Sequence, residues 1–424
     1  MNRFILFPWG PLHRVEARAD AVDSAGERAI GPAVRAESRD CAQSLRDIAA
    51  CGFNASCFID PADLPACREA GLLANLYLYT PDGRNVTFLS QKKDADAAEI
   101  DATMRQAIGT LGSDPDVLSF YIIDEPGASE FGRIGEMVKA VHRYAPGKLA
   151  YSNLFPNYAI CGAPDLSQLE TDTFEEYLDR FAATTQPDFV SLDNYLSFVS
   201  MDFEDKAMQA QYFLNFIQAQ EVCKKYGLPF QHVVCSNQLR CYQVIPTHAN
   251  LLFQAYTSLA AGAKAIGWYT YFGRGGYLYA PVDDNTDEDL RTPTWYMLRE
   301  VNRQALAVGE LLYPMRFVEM YFTHPDPIPR AKGVADCPAL ADFSSDQPCM
   351  LGQFDDHGRP VLLAVNCSLT HSTRIEPVFA GSGALCTYSI EAGRFLPPVL
   401  TDRGGNTSPL WLAPGCGVAL TPAR

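Results

Sequence analysis

The chain has 424 residues, of which 47% are hydrophobic and 20% are charged, and its formal net charge is −16. This composition is that of an ordinary globular protein, and the length suits one large domain followed by a module of about 100 residues. The negative charge argues against nucleic acid or an anionic membrane surface as a partner, because both would repel the chain. A neutral or cationic small ligand suits it better.

The N-terminal segment and the cysteines bear on where the protein works. Residues 1–10 contain only a short apolar stretch, interrupted by Pro8 and Gly10, so we expect no export signal. No run is long and apolar enough to predict a transmembrane helix. The 13 cysteines are scattered, without a CxxC pair. We therefore predict reduced thiols in a cytoplasmic protein.

Eight short apolar runs predict strands that alternate with helices. The predicted strands are 4–7, 53–59, 72–79, 118–123, 149–154, 189–192, 232–235 and 265–271. The predicted helices are 37–51, 97–111, 130–144, 174–183, 207–226, 248–261 and 294–311. This alternation predicts a (β/α)8 TIM barrel. A doubly wound open sheet is the alternative, although no GxGxxG or GxxxxGKS/T motif follows an early strand.

After Leu312 the pattern changes to short β-type runs separated by turn residues. Residues 350–366 predict a hairpin that turns at 356–358, and the runs near 385–390 and 417–421 continue the pattern. We therefore predict an α/β barrel over residues 1–314 and a small C-terminal all-β sandwich domain over residues 315–424.

The fourth predicted strand is followed by two adjacent carboxylates, Asp124 and Glu125, and then by Pro126. In a barrel, the catalytic residues lie at the carboxyl ends of the strands. Desolvation at that position raises the pKa of a carboxyl, which can then stay protonated near neutral pH and act as an acid. A simple helix cap is the alternative interpretation, since acidic residues and proline are common where a helix begins.

Several segments resemble a known family. Asp124-Glu125-Pro126 is similar to the Asn-Glu-Pro or Asp-Glu-Pro motif of family 42 β-galactosidases and their uncharacterised relatives, which are barrel glycosidases with the acid/base Glu at the end of strand four. Residues 187–195 resemble the sixth-strand pattern DFISYDHY of those relatives, which places Asp193 and Tyr195 at the rim. Residues 253–271 resemble their YTALAYGAKGI stretch followed by aromatics, and this is the most specific match.

The resemblance extends over most of the chain. Residues 291–302 resemble the start of the last barrel helix in these proteins, and the C-terminal β-module matches theirs in position. The resemblance therefore implies a barrel glycosidase with Glu125 as the general acid.

One departure from the family's pattern affects the mechanism. A retaining member carries its nucleophile Glu at the end of strand seven, whereas residues 231–240 contain no carboxylate. The best replacement is Asp193, as a base for water or a stabiliser of positive charge on the sugar ring. A role for Asp193 in substrate hydrogen bonding alone stays open, and Asp124, Asp60 and Asp283 are further candidates.

Aromatic and amide side chains near the predicted strand ends suit a polyhydroxylated ligand. The predicted substrate-binding residues are Trp9, Asp124, Asn153, Tyr195, Asn237, Gln238, Trp268, Tyr269 and Tyr271. Alternation along the eighth strand predicts that Tyr269 and Tyr271 share one face and that Trp268 lies on the other. Only one of the two sets is therefore expected at the barrel mouth, while the other packs under the helices.

The sequence predicts a glycoside hydrolase that acts on an oligosaccharide or small glycoside, with Glu125 and Asp193 as catalytic residues. Neither a metal nor another cofactor is expected, because no HxH, HExxH or cysteine cluster occurs. A catalytically inactive carbohydrate-binding barrel is the alternative, and a barrel lyase or esterase is a third, although no GxSxG is present. The sugar, the linkage and the oligomeric state stay open, a homo-oligomer included.

Overall fold

The computed structural model describes residues 3–10, 41–162, 167–198, 205–238, 244–273, 277–283, 290–382, 384–398 and 410–423. The barrel strands are β1 Ile5–Trp9, β2 Ala55–Ile59, β3 Leu73–Leu76, β4 Val117–Asp124, β5 Leu149–Asn153, β6 Val190–Asp193, β7 Phe230–Cys235 and β8 Ala263–Tyr269. Each overlaps its predicted run. Strands buried on both faces have near-continuous apolar sequences, which explains why these runs were recognisable.

The strand pairing closes the barrel. All pairs are parallel within two groups, ordered β1-β8-β7-β6 and β2-β3-β4-β5. The first strand pairs with the last, with Ile5 opposite Ala265. An open doubly wound sheet would leave these two strands apart. The prediction of a (β/α)8 barrel is therefore confirmed.

Two seams join the groups. At the β1–β2 seam the Asn54 side chain replaces ladder bonds: Leu6 N donates to Asn54 Oδ1 at 2.8 Å, and Asn54 Nδ2 donates to Phe4 O at 2.8 Å. At the β5–β6 seam Leu154 N donates to Ser191 O at 2.8 Å. The Asn54 side chain therefore supplies two of the hydrogen bonds that close the first seam, beside the main-chain bond from Asn54 N to Leu6 O at 3.2 Å.

We expect Asn54→Ala to lower the free energy of unfolding by about 2 kcal/mol, because two hydrogen bonds are lost and their main-chain partners stay largely buried. Urea unfolding followed by circular dichroism would measure this. Asn85→Ala is the matched control, since the side-chain Oδ1 of Asn85 accepts a local loop bond from Thr87 N at 3.0 Å and does not join two strands. Equal stability of the Asn54 and Asn85 variants would contradict the role given to the seam.

The helices of the described residues are α1 Cys41–Ala50, α2 Leu64–Glu69, α3 Phe88–Gln91, α4 Ala97–Ile108, α5 Phe131–Tyr144, α6 Phe174–Thr185, α7 Lys206–Tyr226, α8 His248–Ala260 and α9 Pro293–Leu312. Residues 37–40 of the first predicted helix lie outside the described residues. In helix α7, local residues determine where the helix begins and ends. The Asp205 carboxylate accepts hydrogen bonds from its first amides, and Gly227 ends the helix with φ 70°. Within the described chain, no helix combines the length and apolar character that a bilayer crossing requires.

The barrel interior is filled by every second residue of the strands. Ile5, Phe7 and Trp9 of β1 all belong to this inner core. The ring of Phe7 occupies the place of a side chain at Gly267 of β8, where a Cβ would lie 2.5 Å from it. Large and small residues thus interlock, and the next inward positions lie at the mouth.

The C-terminal region consists of antiparallel sheets. Its strands are β11 Arg316–Phe322, β12 Leu340–Ser345, β13 Cys349–Asp356, β14 Arg359–Asn366, β15 Thr373–Phe379, β16 Leu385–Ser389, β17 Arg394–Phe395, β18 Leu410–Leu412 and β19 Gly417–Pro422; the short pair β9 Val282–Asp283 and β10 Leu290–Arg291 precedes α9. The orders are β11-β13-β14-β19-β16-β17 and β12-β15-β18. The predicted hairpin is confirmed, with positive φ at His357 and Gly358 as its tight turn requires.

The six-stranded sheet packs directly on helix α8. Along β14, Leu362 faces the three-stranded sheet, whereas Leu363 joins the core that contains α8. A Cβ at Gly352 would lie 2.1 Å from the Ala260 carbonyl oxygen, and one at Gly415 would lie 2.0 Å from that of Ala249. The helix backbone thus rests on glycines of the sheet. Because one apolar core spans both regions, the division at residue 314 stays a prediction.

Candidate active site

Two acidic residues lie where β4 leaves the barrel. Asp124 is the last residue of β4, and Glu125 follows with φ 47°, a conformation that is unfavourable for a residue with a side chain. The main chain of Glu125 is held in place because its N–H donates to Asn153 O at 2.9 Å. Such local strain is typical of functional positions.

The side chain of Asn153, at the end of β5, connects the acidic residues of two strands. Its Nδ2 donates to Asp124 Oδ1 at 3.2 Å and to Asp193 Oδ1 at 3.1 Å. Its Oδ1 accepts from Ser191 Oγ at 2.9 Å, and Ser191 in turn contacts Tyr151 OH at 2.9 Å. These contacts fix the amide orientation, because a carboxylate can only accept. Asp124 and Asp193 therefore share one amide group.

Asp124, Glu125 and Asp193, which we call the acidic cluster, have perturbed ionisation. Burial raises the pKa of Asp124 to about 6, against the opposing hydrogen bond from Asn153. Burial and the neighbouring Asp124 raise the pKa of Glu125 to about 7. Burial and the other two carboxylates raise the pKa of Asp193 well above its usual range. Asp124 and Glu125 each keep part of their surface exposed, whereas Asp193 is buried, so desolvation is most complete at Asp193.

The end of β7 carries a thiol in place of a carboxylate. Cys235 occupies the last inward position of the strand and is fully buried, and burial raises the pKa of its thiol to about 12. Its Sγ contacts Asn237 Oδ1, which also accepts from Thr270 N at 3.0 Å. Between Glu221 and Asp283 the sequence has no acidic residue. Strands β7 and β8 therefore provide no carboxylate.

Tyrosine rings lie beside the acidic cluster. Tyr195 and Tyr269 are half-buried and stack with their centroids 5.4 Å apart and their planes at 20°. Tyr269 OH donates to Tyr277 OH at 2.6 Å. Tyr158, which is 38% exposed, accepts a bond from Tyr195 N at 3.3 Å. Stacked rings of this kind present flat apolar faces next to hydroxyl groups.

Trp9 lies deeper inside the barrel than the position near a strand end that the sequence predicts. It is only 5% exposed and packs in the inner core against Phe58, Tyr121 and Tyr151, with ring centroids 4.8, 6.4 and 5.6 Å away. The ring therefore belongs to the aromatic layer of the inner core, beneath the mouth.

The aromatic residues of the eighth strand and the amides of the seventh are placed differently. Trp268 is fully buried among the helices, and Tyr271 is also buried, with its OH bonded to Asp47. Only Tyr269 faces the interior. The pairing of Tyr269 with Tyr271 expected from alternation was therefore wrong, because β8 ends at Tyr269 and regular alternation ends with it.

Two predicted amides tie loops together. The main chain of Gln238 exchanges hydrogen bonds with Leu278 at 2.7 and 2.9 Å. Asn237 is fully buried, and its Nδ2 has no hydrogen-bond partner in the described part of the chain.

Among the described residues, no group of three or more His, Cys, Asp and Glu is arranged to hold a metal ion.

Sequence reasoning missed Tyr158 and Tyr277, because both belong to loops with no periodic pattern. It also missed Ser191 and Tyr151, whose polar atoms orient Asn153. An inward-facing polar residue two positions before a strand end was the only available signal for Ser191.

Comparison with known proteins supplies the wider context. No protein-family model matches the sequence, and no curated protein sequence matches it. The structure is similar to that of Gan42B, a GH42 beta-galactosidase, with a TM-score of 0.59 over 90% of this chain and 95% of that chain, at 9% identity. This likeness agrees with the (β/α)8 barrel fold described above. Coverage of this extent includes part of the C-terminal sheets.

Other solved structures match over less of their length. Saccharomyces cerevisiae Gas2p matches with a TM-score of 0.43 and 14% identity, over 72% of this chain and 61% of that chain. The beta-galactosidase from the psychrophilic Marinomonas ef1 matches with a TM-score of 0.44 and 9% identity, over 64% of this chain and 58% of that chain. This chain therefore spans less than two thirds of both proteins, and they add nothing to the fold assignment.

Proposed function

We propose that the protein is a glycoside hydrolase that cleaves an O-glycosidic bond of an oligosaccharide or small glycoside, with Glu125 as general acid and Asp193 as second catalytic carboxylate. The observation that carries this proposal is the acidic cluster, in which one amide joins Asp124 and Asp193 at the mouth of a glycoside hydrolase barrel. A cytoplasmic location and the domain division at residue 314 stay predictions.

The hydrogen bonds of the cluster favour Glu125 as the residue that holds a proton. The Asn153 amide donates to Asp124 and Asp193, and donation to a carboxylate stabilises its charged form. Within the described residues, no group donates to the Glu125 side chain. Three close carboxyls do not all ionise near neutral pH; although burial also raises the pKa of Asp193, Asn153 favours its charged form, and we assign the transferable proton to Glu125, the member without a donor. Its pKa of about 7 suits proton transfer to a glycosidic oxygen.

We assign the second catalytic role to Asp193. As Glu125 protonates the leaving oxygen, positive charge develops on the sugar ring, and the Asp193 carboxylate stabilises that charge or takes a proton from attacking water. Asp124 is the remaining candidate for the same task. Since β7 ends in Cys235, the carboxylate nucleophile expected there in a retaining relative has no counterpart.

We propose that sugar stacks on an outer face of the Tyr195–Tyr269 pair, whose half-buried rings lie beside the cluster. Asp124 and Asn153 would bond sugar hydroxyls from the floor. Gln238, Asn237 and Trp9 would act from beneath the binding surface, because all three are buried. Trp268 and Tyr271 have no part in this binding surface.

A panel of aryl glycosides and unmodified disaccharides, with sugar release as readout, tests the proposal. Hydrolysis of at least one member that depends on Glu125 is the expected result. The second candidate function, sugar binding without turnover, is favoured by the buried Cys235 at the end of β7. Binding of sugars by calorimetry with no hydrolysis of any glycoside would support that candidate and contradict ours.

The pH profile provides a separate prediction. The wild-type kcat/KM should fall above about pH 7 as Glu125 loses its proton, and should fall on the acid side as the aspartates gain protons. Asn153→Ala removes the donor to both aspartates, which raises their pKa, so we expect the acid limb to move to higher pH and the optimum to narrow.

Measurement of kcat/KM between pH 4 and pH 9 would test this expectation. Asn157→Ala is the matched control, because the Asn157 amide bonds Gln211 and Gln218 and does not contact the acidic cluster. An unchanged acid limb in Asn153→Ala would show that this amide does not set the ionisation of the aspartates.

A further inference from the structure

A cavity of about 500 Å³ lies between helix α7 and the C-terminal sheets. Its walls come from α7, from the segment after β11, and from the starts and ends of β13 and β14, and they include no residue of the acidic cluster. This volume lies within the range of small-molecule sites in proteins.

The cavity has an apolar floor. Phe213 of α7 and Phe322 of β11 meet there with their ring centroids 5.2 Å apart, and both are buried. Cys349 and Cys367 add thiol groups, which behave as small apolar side chains when they are protonated. An apolar floor in a cavity of this size suits the body of a small ligand.

The rim carries nitrogen donors. Lys206, His324 and His371 line the cavity and are exposed, against one carboxylate, that of Asp326. In each histidine Nδ1 contacts the hydroxyl of the preceding threonine, at 3.0 Å for His324 and 2.8 Å for His371. Among the described residues Nε2 of neither ring has a hydrogen-bond partner. When the hydroxyl donates to Nδ1, the neutral ring carries its hydrogen on Nε2 and can donate it to a ligand.

We propose that this cavity, which we call the α7 pocket, is a second ligand site that binds a small amphipathic anion: an aromatic or aliphatic body on the phenylalanine floor and a carboxylate or sulfonate at the rim. The amino group of Lys206 and the two imidazoles supply hydrogen-bond donors for the anionic group. Such a group of donors contrasts with the net charge of −16 of the whole chain. The proposal does not depend on the catalytic assignment.

The probe is 8-anilinonaphthalene-1-sulfonate, with uncharged N-phenyl-1-naphthylamine as its neutral counterpart, both followed by fluorescence titration of the folded full chain. We expect saturable sulfonate binding that the neutral dye matches only weakly. Ile328→Trp, which fills the pocket from its wall, should abolish it. Lys206→Met should weaken sulfonate binding by roughly three- to tenfold and leave the neutral dye unchanged.

Two control variants make the test decisive. Lys139→Met removes an exposed lysine outside the pocket and should change nothing. Tyr269→Ala alters the barrel mouth and should also leave the dye bound. If Tyr269→Ala lost sulfonate binding and Ile328→Trp retained it, the dye would bind at the barrel mouth and the proposal would be wrong. Equal weakening of sulfonate binding by Lys206→Met and Lys139→Met, or the absence of saturable binding, would also overturn it. Circular dichroism spectra of all variants would exclude dye binding to unfolded chain.

Discussion

Glu125→Gln should lower kcat for glycosides with poor leaving groups by about 10²- to 10⁴-fold, because glutamine keeps the size of the side chain but cannot transfer a proton. The loss should shrink to less than about tenfold for dinitrophenyl glycosides, whose leaving group departs without protonation. Steady-state kinetics on a series of aryl glycosides of rising leaving-group pKa would measure this dependence. A steeper dependence in the variant than in the wild type is the signature of a missing acid.

Glu136→Gln is the matched control, since Glu136 is a surface residue of α5 paired with Lys139. It should leave all rates unchanged. If Glu125→Gln lost activity equally for good and poor leaving groups, Glu125 would not be the proton donor, and the assignment of the acid would pass to Asp124.

Asp193→Ala should lower kcat by about 10²- to 10⁴-fold for every leaving group, because a base or charge-stabilising carboxylate is needed however easily the leaving group departs. This uniform loss would distinguish its role from that of Glu125. The alanine leaves a space beside Asn153, so added azide or formate should restore part of the activity, and product analysis by NMR would show on which face the anion attacks.

Asp172→Ala is the comparison variant, since this exposed aspartate precedes α6 and lies outside the acidic cluster. Asp193→Asn provides a second test should the alanine variant unfold, because it keeps the shape of a buried side chain. Full activity in a folded Asp193→Asn protein would exclude Asp193 as a catalytic carboxylate.

The barrel strands and the residue pair Asp124-Glu125 were readable from the sequence for one physical reason. A strand covered on both faces is apolar along its length, so the first charged residue after it marks the strand end, as it does for β4. The hairpin at residues 356–358 could be predicted because tight turns with positive φ favour glycine, here Gly358.

The hydrogen bond from Asn153 to Asp193, which joins β5 and β6, could not be predicted from the sequence. Asn153 and Asp193 are 40 positions apart, and their contact depends on the inward positions of β5 and β6 reaching the same height, which no local pattern encodes. The orientations expected for the aromatic residues differed from the structure for another reason. Alternation placed Tyr269 with Tyr271, but it holds only inside a strand, and β8 ends between them. For Trp9, the prediction overlooked that β1 itself extends to that residue.

Helix α8 limits how the barrel can be separated from the C-terminal region. Its residues from Asn250 to Ala260 are all buried, with barrel strands on one side and the six-stranded sheet, through Gly352 and Gly415, on the other. A barrel cut free of its C-terminal region would expose an uncovered apolar helix to water and would tend to aggregate. The sheets thus form an outer wall of the barrel, and recombination that exchanges the C-terminal region must keep α8 together with its glycine contacts.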